Sequence, residues 1–457
     1  MKVWLFLGRC RHKQNRFEDA LIYFQKASRA DPTSASAFAK AGYCLNELAR
    51  HDDAIEAYEK ALQIASDYTD VYAYLAVAYS RLGRNQESYD SLHRAFRATP
   101  ELQDSVYWSR VLGNICIKLE RWKEALPIFQ KLSKSEKNSE DAWLGLGISL
   151  GNLERWQEAL ETFQRMTQVN ANNGNAWHGQ GWAYAGLNRD HDALIAFEHA
   201  TQLGTENSNA SLEIGEAYFR LDRFTEAVNK FQEYIKLKPG DPGGHFMLGA
   251  TYCQLQELNL AVEPILQALR LDPNYAGGYQ TLAAVYSELG QHEKAAGTWQ
   301  KAIQLEPNDA DCHCELAVSY LNLKMQVEAL RAAREALRLN SESAKAYLCL
   351  GCALHEPESF PEAIAAYRKS LKLDPVQFIA LANLGDAYLQ LERFEEAREA
   401  LIEAEKINSK DAKLHLMLGE LYLRLGKRDE AHHEHQALMS LDTSLAEKLS
   451  KLFDRSS

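Results

Sequence analysis

The sequence predicts an all-α chain, an α-solenoid of stacked helix-turn-helix units. Three observations point there. Steps of 34 residues from Ala20, with one step of 37, land on Ala54, Ser88, Ala125, Ala159, Ala193, Ala227, Ala261, Ala295, Ala329, Ala363, Ala397 and Ala431. The same steps from Gly8 reach Gly42, Ala76, Gly113, Gly147, Gly181, Gly215, Gly249, Ala283, Ala317, Gly351, Gly385 and Gly419, every one of them Gly or Ala. Between these small residues, apolar side chains recur at i, i+3, i+4 and i+7, the period of a helix with one buried face. A fixed period of this length marks a repeat array and takes precedence over any local motif.

The elements follow in order. Thirteen units of 34 residues fill residues 1–445, with a three-residue insertion near Leu102 to Asp104. The sixth unit shows the grammar: a first helix around Ala176–Leu187 carrying Trp177, Gly181 and Tyr184, a polar break "NRDHD", then a second helix from Ala193 to Leu203 with Phe197 and Ala200. Small residues on both helices let their axes approach closely, and the aromatics fill the remaining gaps. Pro32, Pro100, Pro239, Pro273, Pro307 and Pro375 stand at unit boundaries, where proline disfavours helix in the residue before it and opens the next unit. Residues 446–457 remain for a capping helix and tail; the stretch Leu445–Phe453 is amphipathic, and a stacked array needs its last apolar face covered. At the other end Met1 already belongs to a first helix. Trp4, Leu5 and Phe6 are therefore expected to be partly exposed, so that the native chain starts upstream or a partner or second copy covers that edge.

Composition narrows the class. Hydrophobic residues at 46% and charged residues at 25% suit a folded protein. A formal charge of -12 argues against nucleic-acid binding. No apolar run approaches a membrane span, and the short apolar start is cut off by Arg9 and Arg11 with no small-residue cleavage site after it. The eight cysteines are scattered, as suits a reducing compartment; a cytoplasmic location is expected.

Several local motifs invite chemistry. Gly145, Gly147 and Gly151 form a G-x-G-x-x-x-G close to a dinucleotide-binding loop. Such a loop needs a preceding strand and a helix opening at the glycines; here "NSEDAW" reads as a helix start, which places the glycines inside a helix as packing positions. Cys349-Leu-Gly-Cys352 falls mid-helix, not at a strand end as thiol redox chemistry requires. Helical spacing sets Cys349, Cys352 and His355 on one face, with Cys314 on the preceding unit's first helix. Soft ligands of this kind hold zinc, but no second C-x-x-C completes a set, and small thiols in a helical stack are the reading taken. His432, His433 and His435 are read as an exposed helix face, not a metal site. Glu124, Glu158, Glu226 and Glu396 are read as first-turn charges complementing helix dipoles. No Ser-His-Asp order, phosphate loop or H-E-x-x-H is found, and neither a catalytic residue nor a cofactor is expected.

The pattern Trp4, Leu7, Gly8, Ala20, Phe24, Ala27 and Pro32, renewed as Gly215, Tyr218, Ala227, Phe231 and Pro239, resembles the tetratricopeptide repeat family over nearly the whole chain. Arg11, where Tyr is usual, and Ser88 depart from it. The resemblance implies a right-handed superhelical solenoid whose first helices line a concave groove, and a non-catalytic interaction scaffold or adaptor that binds a peptide or protein segment there. The alternatives are a substrate-recognition or regulatory subunit of an enzyme encoded on another chain and, third, a periplasmic assembly factor, which needs an upstream export signal. The family's clamp for a C-terminal carboxylate is not matched: Arg110 and Asn114 stand at its first two positions, but Gly145 replaces the next Asn, and Asn175 and Gly179 replace the Lys and Arg. A ladder of groove asparagines is not matched either, its positions being Tyr74, Val111, Gly145, Gly179, Glu213 and Met247.

Register places Arg9, Lys13, Lys40, Arg81, Arg110 and Lys118 on the inner face of the early units. Leu144, Ile148, His178, Trp182, Leu212, Phe219, Phe246 and Met247 follow as an apolar strip in units five to eight. The first unit carries seven Lys/Arg against three acids, +4 against -16 for the remainder, so Arg9, Lys13, Arg16 and Lys40 are expected to meet an acidic partner or the acidic flank of another copy. Self-association through that end is one option. The partner is expected to be another protein or peptide, with no nucleic acid and no membrane.

Overall fold

The computed structural model describes residues 1–204 and 209–455. The described residues form helices and connecting turns, with no strand among them. They divide into two compact units, Met1–Lys230 and Phe231–Ser457. The first holds α1 (Lys2–Lys13), α2 (Phe17–Ala30), α3 (Ala35–Glu47), α4 (His51–Ile64), α5 (Asp70–Arg81), α6 (Asn85–Ala98), α7 (Val106–Lys118), α8 (Trp122–Ser135), α9 (Glu140–Asn152), α10 (Trp156–Val169), α11 (Gly174–Gly186), α12 (Asp190–Gln202) and α13 (Ala210–Arg220). The division falls within α14 (Phe224–Leu237). The second unit continues with α15 (Pro242–Gln254), α16 (Leu258–Leu271), α17 (Ala276–Glu288), α18 (His292–Leu305), α19 (Ala310–Asn322), α20 (Gln326–Leu339), α21 (Ala344–Ala353), α22 (Phe360–Leu373), α23 (Phe378–Gln390), α24 (Phe394–Ile407), α25 (Ala412–Arg424), α26 (Arg428–Leu441) and α27 (Thr443–Arg455). The insertion near residue 102 forms a 3-10 turn, Pro100–Asp104.

Within each unit consecutive helices pack as antiparallel hairpins, and hairpins stack in chain order. In the first unit the odd-numbered helices also touch one another, α3 on α5, α5 on α7, α7 on α9 and α9 on α11. They form the inner layer of that unit, and the even-numbered helices form the outer one. The thirteen alanine-register positions, Ser88 included, are all fully buried. Ser88 keeps its place because its hydroxyl donates to the Ala76 carbonyl at 2.6 Å, which satisfies the one polar atom that alanine lacks.

A second periodic feature closes each first helix. The residue just past it has positive φ at Asn15, Ala49, Gly83, Glu120, Glu154, Asn188 and Asp222 in the first unit, and at Gln256, Gly290, Lys324, Glu392 and Gly426 in the second. The next N–H reaches back to a carbonyl of the last turn, as Arg84 to Tyr79 at 2.9 Å and Gln291 to Tyr286 at 2.8 Å. This is the left-handed cap that satisfies orphan helix carbonyls. Repeat eleven departs: α21 stops at Ala353, Glu356 is extended before Pro357, and a 3-10 turn Pro357–Ser359 follows. Proline forces that extended residue, so His355 lies beyond the helix end and not on a helical face shared with Cys349 and Cys352.

Candidate functional site

The first-turn carboxylates are where sequence placed them and also pair locally. Arg155 donates to Glu158 twice, at 2.7 Å each, and Arg223 to Glu226 at 3.0 and 2.8 Å. Several of these arginines lie over the tyrosine five residues earlier, Arg84 over Tyr79 at 4.5 Å and Arg189 over Tyr184 at 4.6 Å. The pairing ties the outer ends of the hairpins and occupies Arg16 too, which meets Asp19 at 2.5 Å. Arg16 is thereby set apart from Arg9 and Lys40.

The inner layer of the first unit carries two cavities. The first, about 310 Å³, lies between α1, α3 and α5 and is lined by Arg9, His12, Lys40, Tyr43, Asp70 and Tyr74 among others. Tyr43 stands edge-on to His12 at 4.9 Å and to Tyr74 at 5.4 Å. Burial and the neighbouring Arg9 charge hold the Lys40 ammonium below its ordinary pKa; its Nζ donates to Ser36 at 2.9 Å. Lys13 is exposed and outside this cavity.

The second cavity, about 550 Å³, lies between α5, α7 and α9. Val77, Val111, Ile117, Leu144 and Ile148 supply apolar surface, and Arg81, Arg110, Asn114 and Lys118 supply polar groups. Arg110 is engaged by Glu136 and lies 3.9 Å from Asp141, yet its Nε is buried with no hydrogen-bond partner. Arg81 and Lys118 form no ion pair among the described residues; Lys118 donates only to the Ser80 carbonyl, at 3.4 Å. The structure thus brings Leu144, Ile148, Arg110 and Asn114 together, with Arg81 and Lys118 added.

The rest of the apolar strip does not join them. His178 is partly buried, bonded to Glu213 and tilted on Phe197 at 5.4 Å. Trp182 is partly buried, edge-on to Trp156 at 5.1 Å and seated over Gly151. Phe219 meets Phe224 at 5.5 Å, and Leu212 is partly buried. Phe246 and Met247 belong to the second unit, where Phe246 is edge-on to Tyr275 at 4.9 Å. At the first helix Trp4 stacks on Tyr23 at 5.9 Å, and Phe6 is 66% exposed.

The motif glycines lie within α9, whose start is capped by Ser139 accepting from the Ala142 N–H. A methyl group at Gly145, Gly147 or Gly151 would overlap the rings of Phe129, Phe163 and Trp182 respectively. Of the soft-ligand set, Cys349 directs its thiol at the Cys314 carbonyl, Cys352 accepts from Asn383 at 3.4 Å, and His355 is held by Asp386 at 2.9 Å and Tyr367 at 3.2 Å. Those four residues do not converge on a point. His432 stacks on Phe453 at 4.3 Å, and His435 bonds Ser450 at 2.8 Å, so these histidines seat α27. A cluster that sequence reading missed is Glu405, His415 and Glu434, whose ligand atoms all lie within 4.8 Å of one another.

Family models described as tetratricopeptide repeat match residues 7–69, 45–112, 110–142, 144–208, 179–242, 212–276 and 265–296, and one described as TPR repeat matches 284–324, 353–392 and 385–426. The chain belongs to the tetratricopeptide repeat family. Proteins of this family generally mediate protein–protein interaction and are typically non-catalytic. A comparison with curated proteins finds no match. Among solved tetratricopeptide repeat structures, YrrB, described as having an unusual peptide-binding site, is 24% identical, with a TM-score of 0.37, over 41% of this chain and 95% of its own. PilF of Pseudomonas aeruginosa is 20% identical with a TM-score of 0.41 over 46% of this chain and 96% of its own. The Cut9 and Hcn1 hetero-tetramer of the APC/C gives 13% identity and a TM-score of 0.48 over 99% of this chain and 96% of that one. No described helix is long and apolar enough to cross a membrane.

Proposed function

We propose that this tetratricopeptide repeat chain is a non-catalytic interaction scaffold that holds an extended segment of a partner protein along the inner helices of its first unit. One observation carries the reading: the cavity between α5, α7 and α9 sets apolar surface beside Arg81 and Lys118, which form no ion pair among the described residues. Apolar anchors supply affinity at the centre of such a surface, and unpaired charge at its edge orients the ligand. The segment that suits it is extended, with a large aliphatic or aromatic side chain next to Asp or Glu. The basic cavity of Arg9 and Lys40 shares α5 with it and extends the acidic preference toward the first repeat. Eight free thiols support work in a reducing compartment, the cytoplasm.

A peptide library displayed on phage and selected on the full chain tests this. Enriched peptides are expected to combine an acidic residue with a large apolar one. Binding of the best peptide is expected to weaken at least tenfold in an R81E/K118E double variant, and to weaken with rising salt. Peptides without acidic residues, or binding indifferent to both changes, would contradict the assignment.

A further inference from the structure

We propose that Glu405, His415 and Glu434 form a zinc-binding site that clips the last two hairpins together. The three residues come from three successive helices, α24, α25 and α26, and their ligand atoms lie within 4.8 Å of one another. His415 is buried, and Glu405 and Glu434 are partly exposed at its edge.

The ring of His415 is oriented for the task. Its Nε2 lies 3.0 Å from the Ser409 carbonyl, an acceptor only, so the proton sits on Nε2. Nδ1 is left facing the carboxylates, with Glu434 at 2.7 Å. A metal-ligating histidine is held in this way, with its second nitrogen donating to a carbonyl that fixes tautomer and angle. The Glu405 carboxylate completes the group, within 4.8 Å of the other two ligand atoms.

The site asks for a cation. Two carboxylates and one ring nitrogen face one another there, and a divalent cation is matched by both carboxylates at once. One imidazole nitrogen and two carboxylate oxygens are zinc ligands, whereas magnesium and calcium take oxygen throughout. Three protein ligands leave one tetrahedral position for water. Zinc binding at neutral pH releases whatever proton Nδ1 carries, and a cation held by three helices stabilises the folded hairpins by mass action.

Isothermal titration of the full chain with zinc chloride in chelator-free buffer at neutral pH is the test, with magnesium and calcium as comparators. One zinc is expected to bind at micromolar concentration or below, with a rise in Tm. E405Q and E434Q, which keep size and shape, are each expected to weaken binding at least tenfold while the circular dichroism spectrum stays that of the wild type. H432A/H433A is expected to bind as the wild type does. Absence of stoichiometric zinc binding, binding unchanged in both glutamine variants, or binding lost in H432A/H433A would overturn the proposal.

Discussion

The ring of Phe163 occupies the space that a side chain at Gly147 would need, and it also fills the space at Gly179 of the following repeat. One aromatic ring thus ties a hairpin to itself and to its neighbour. Gly147→Ala is expected to destabilise by about 1–2 kcal/mol, since overpacking costs about 1–3 kcal/mol and alanine recovers part of that in helix propensity. Phe163→Ala leaves a cavity and is expected to cost about 3–5 kcal/mol. Urea midpoints followed by circular dichroism measure both. A Gly147→Ala chain as stable as the wild type would contradict this packing.

Trp182 and Trp156 interlock in the same region, Trp182 over Gly151 and Trp156 over Gly186. Trp182→Ala is expected to lower stability by about 2–4 kcal/mol, read from the urea midpoint. A variant with an unchanged midpoint but weaker peptide binding would make Trp182 an open groove residue instead.

The caps after the first helices give a backbone test. Gly290 has φ +69 and a β-carbon there would meet nothing, so Gly290→Ala isolates conformational strain from packing. It is expected to cost about 1 kcal/mol. Ala49, at φ 57 in the equivalent position, is expected to gain up to about 1 kcal/mol on change to glycine. Thermal melts of the two variants should move in opposite directions.

Lys40 supplies a pH-dependent prediction. Burial, with help from Arg9, lowers its folded-state pKa from 10.5. The folded chain therefore binds that proton less well than the unfolded chain, and the charge costs stability at every pH below the folded value. The cost fades as pH rises through the folded value and is gone above 10.5. Lys40→Met is expected to raise stability at neutral pH by under about 1 kcal/mol, the side chain being half exposed. Denaturation at neutral pH and above pH 11 or so measures the difference, which should shrink at the higher pH.

Much of this was legible in the residues. The alanine and glycine registers placed the helix contacts because only small side chains let two axes approach, and the period carried Arg81, Arg110, Lys118, Leu144 and Ile148 to one face. The positive-φ caps were not legible, since Ala49, Glu120, Gln256 and Lys324 carry none of the glycine signal that a left-handed cap usually shows. The early end of α21 was visible only as Pro357, whose effect on Glu356 outweighed the helical spacing that placed His355 with the cysteines. Trp182 is a large apolar residue at an inward register position, but Gly151 and Gly186 draw both tryptophans into the stack. Glu405, His415 and Glu434 form no local motif, because three different helices contribute them.

Hydrogen-exchange mass spectrometry of the full chain, with and without a selected acidic-apolar peptide, tests the scaffold reading most directly. New protection is expected in α5, α7 and α9, where the cavity lies, and little change in α6, α8 and α10 behind them. Protection confined to the outer helices, or to the second unit alone, would contradict it.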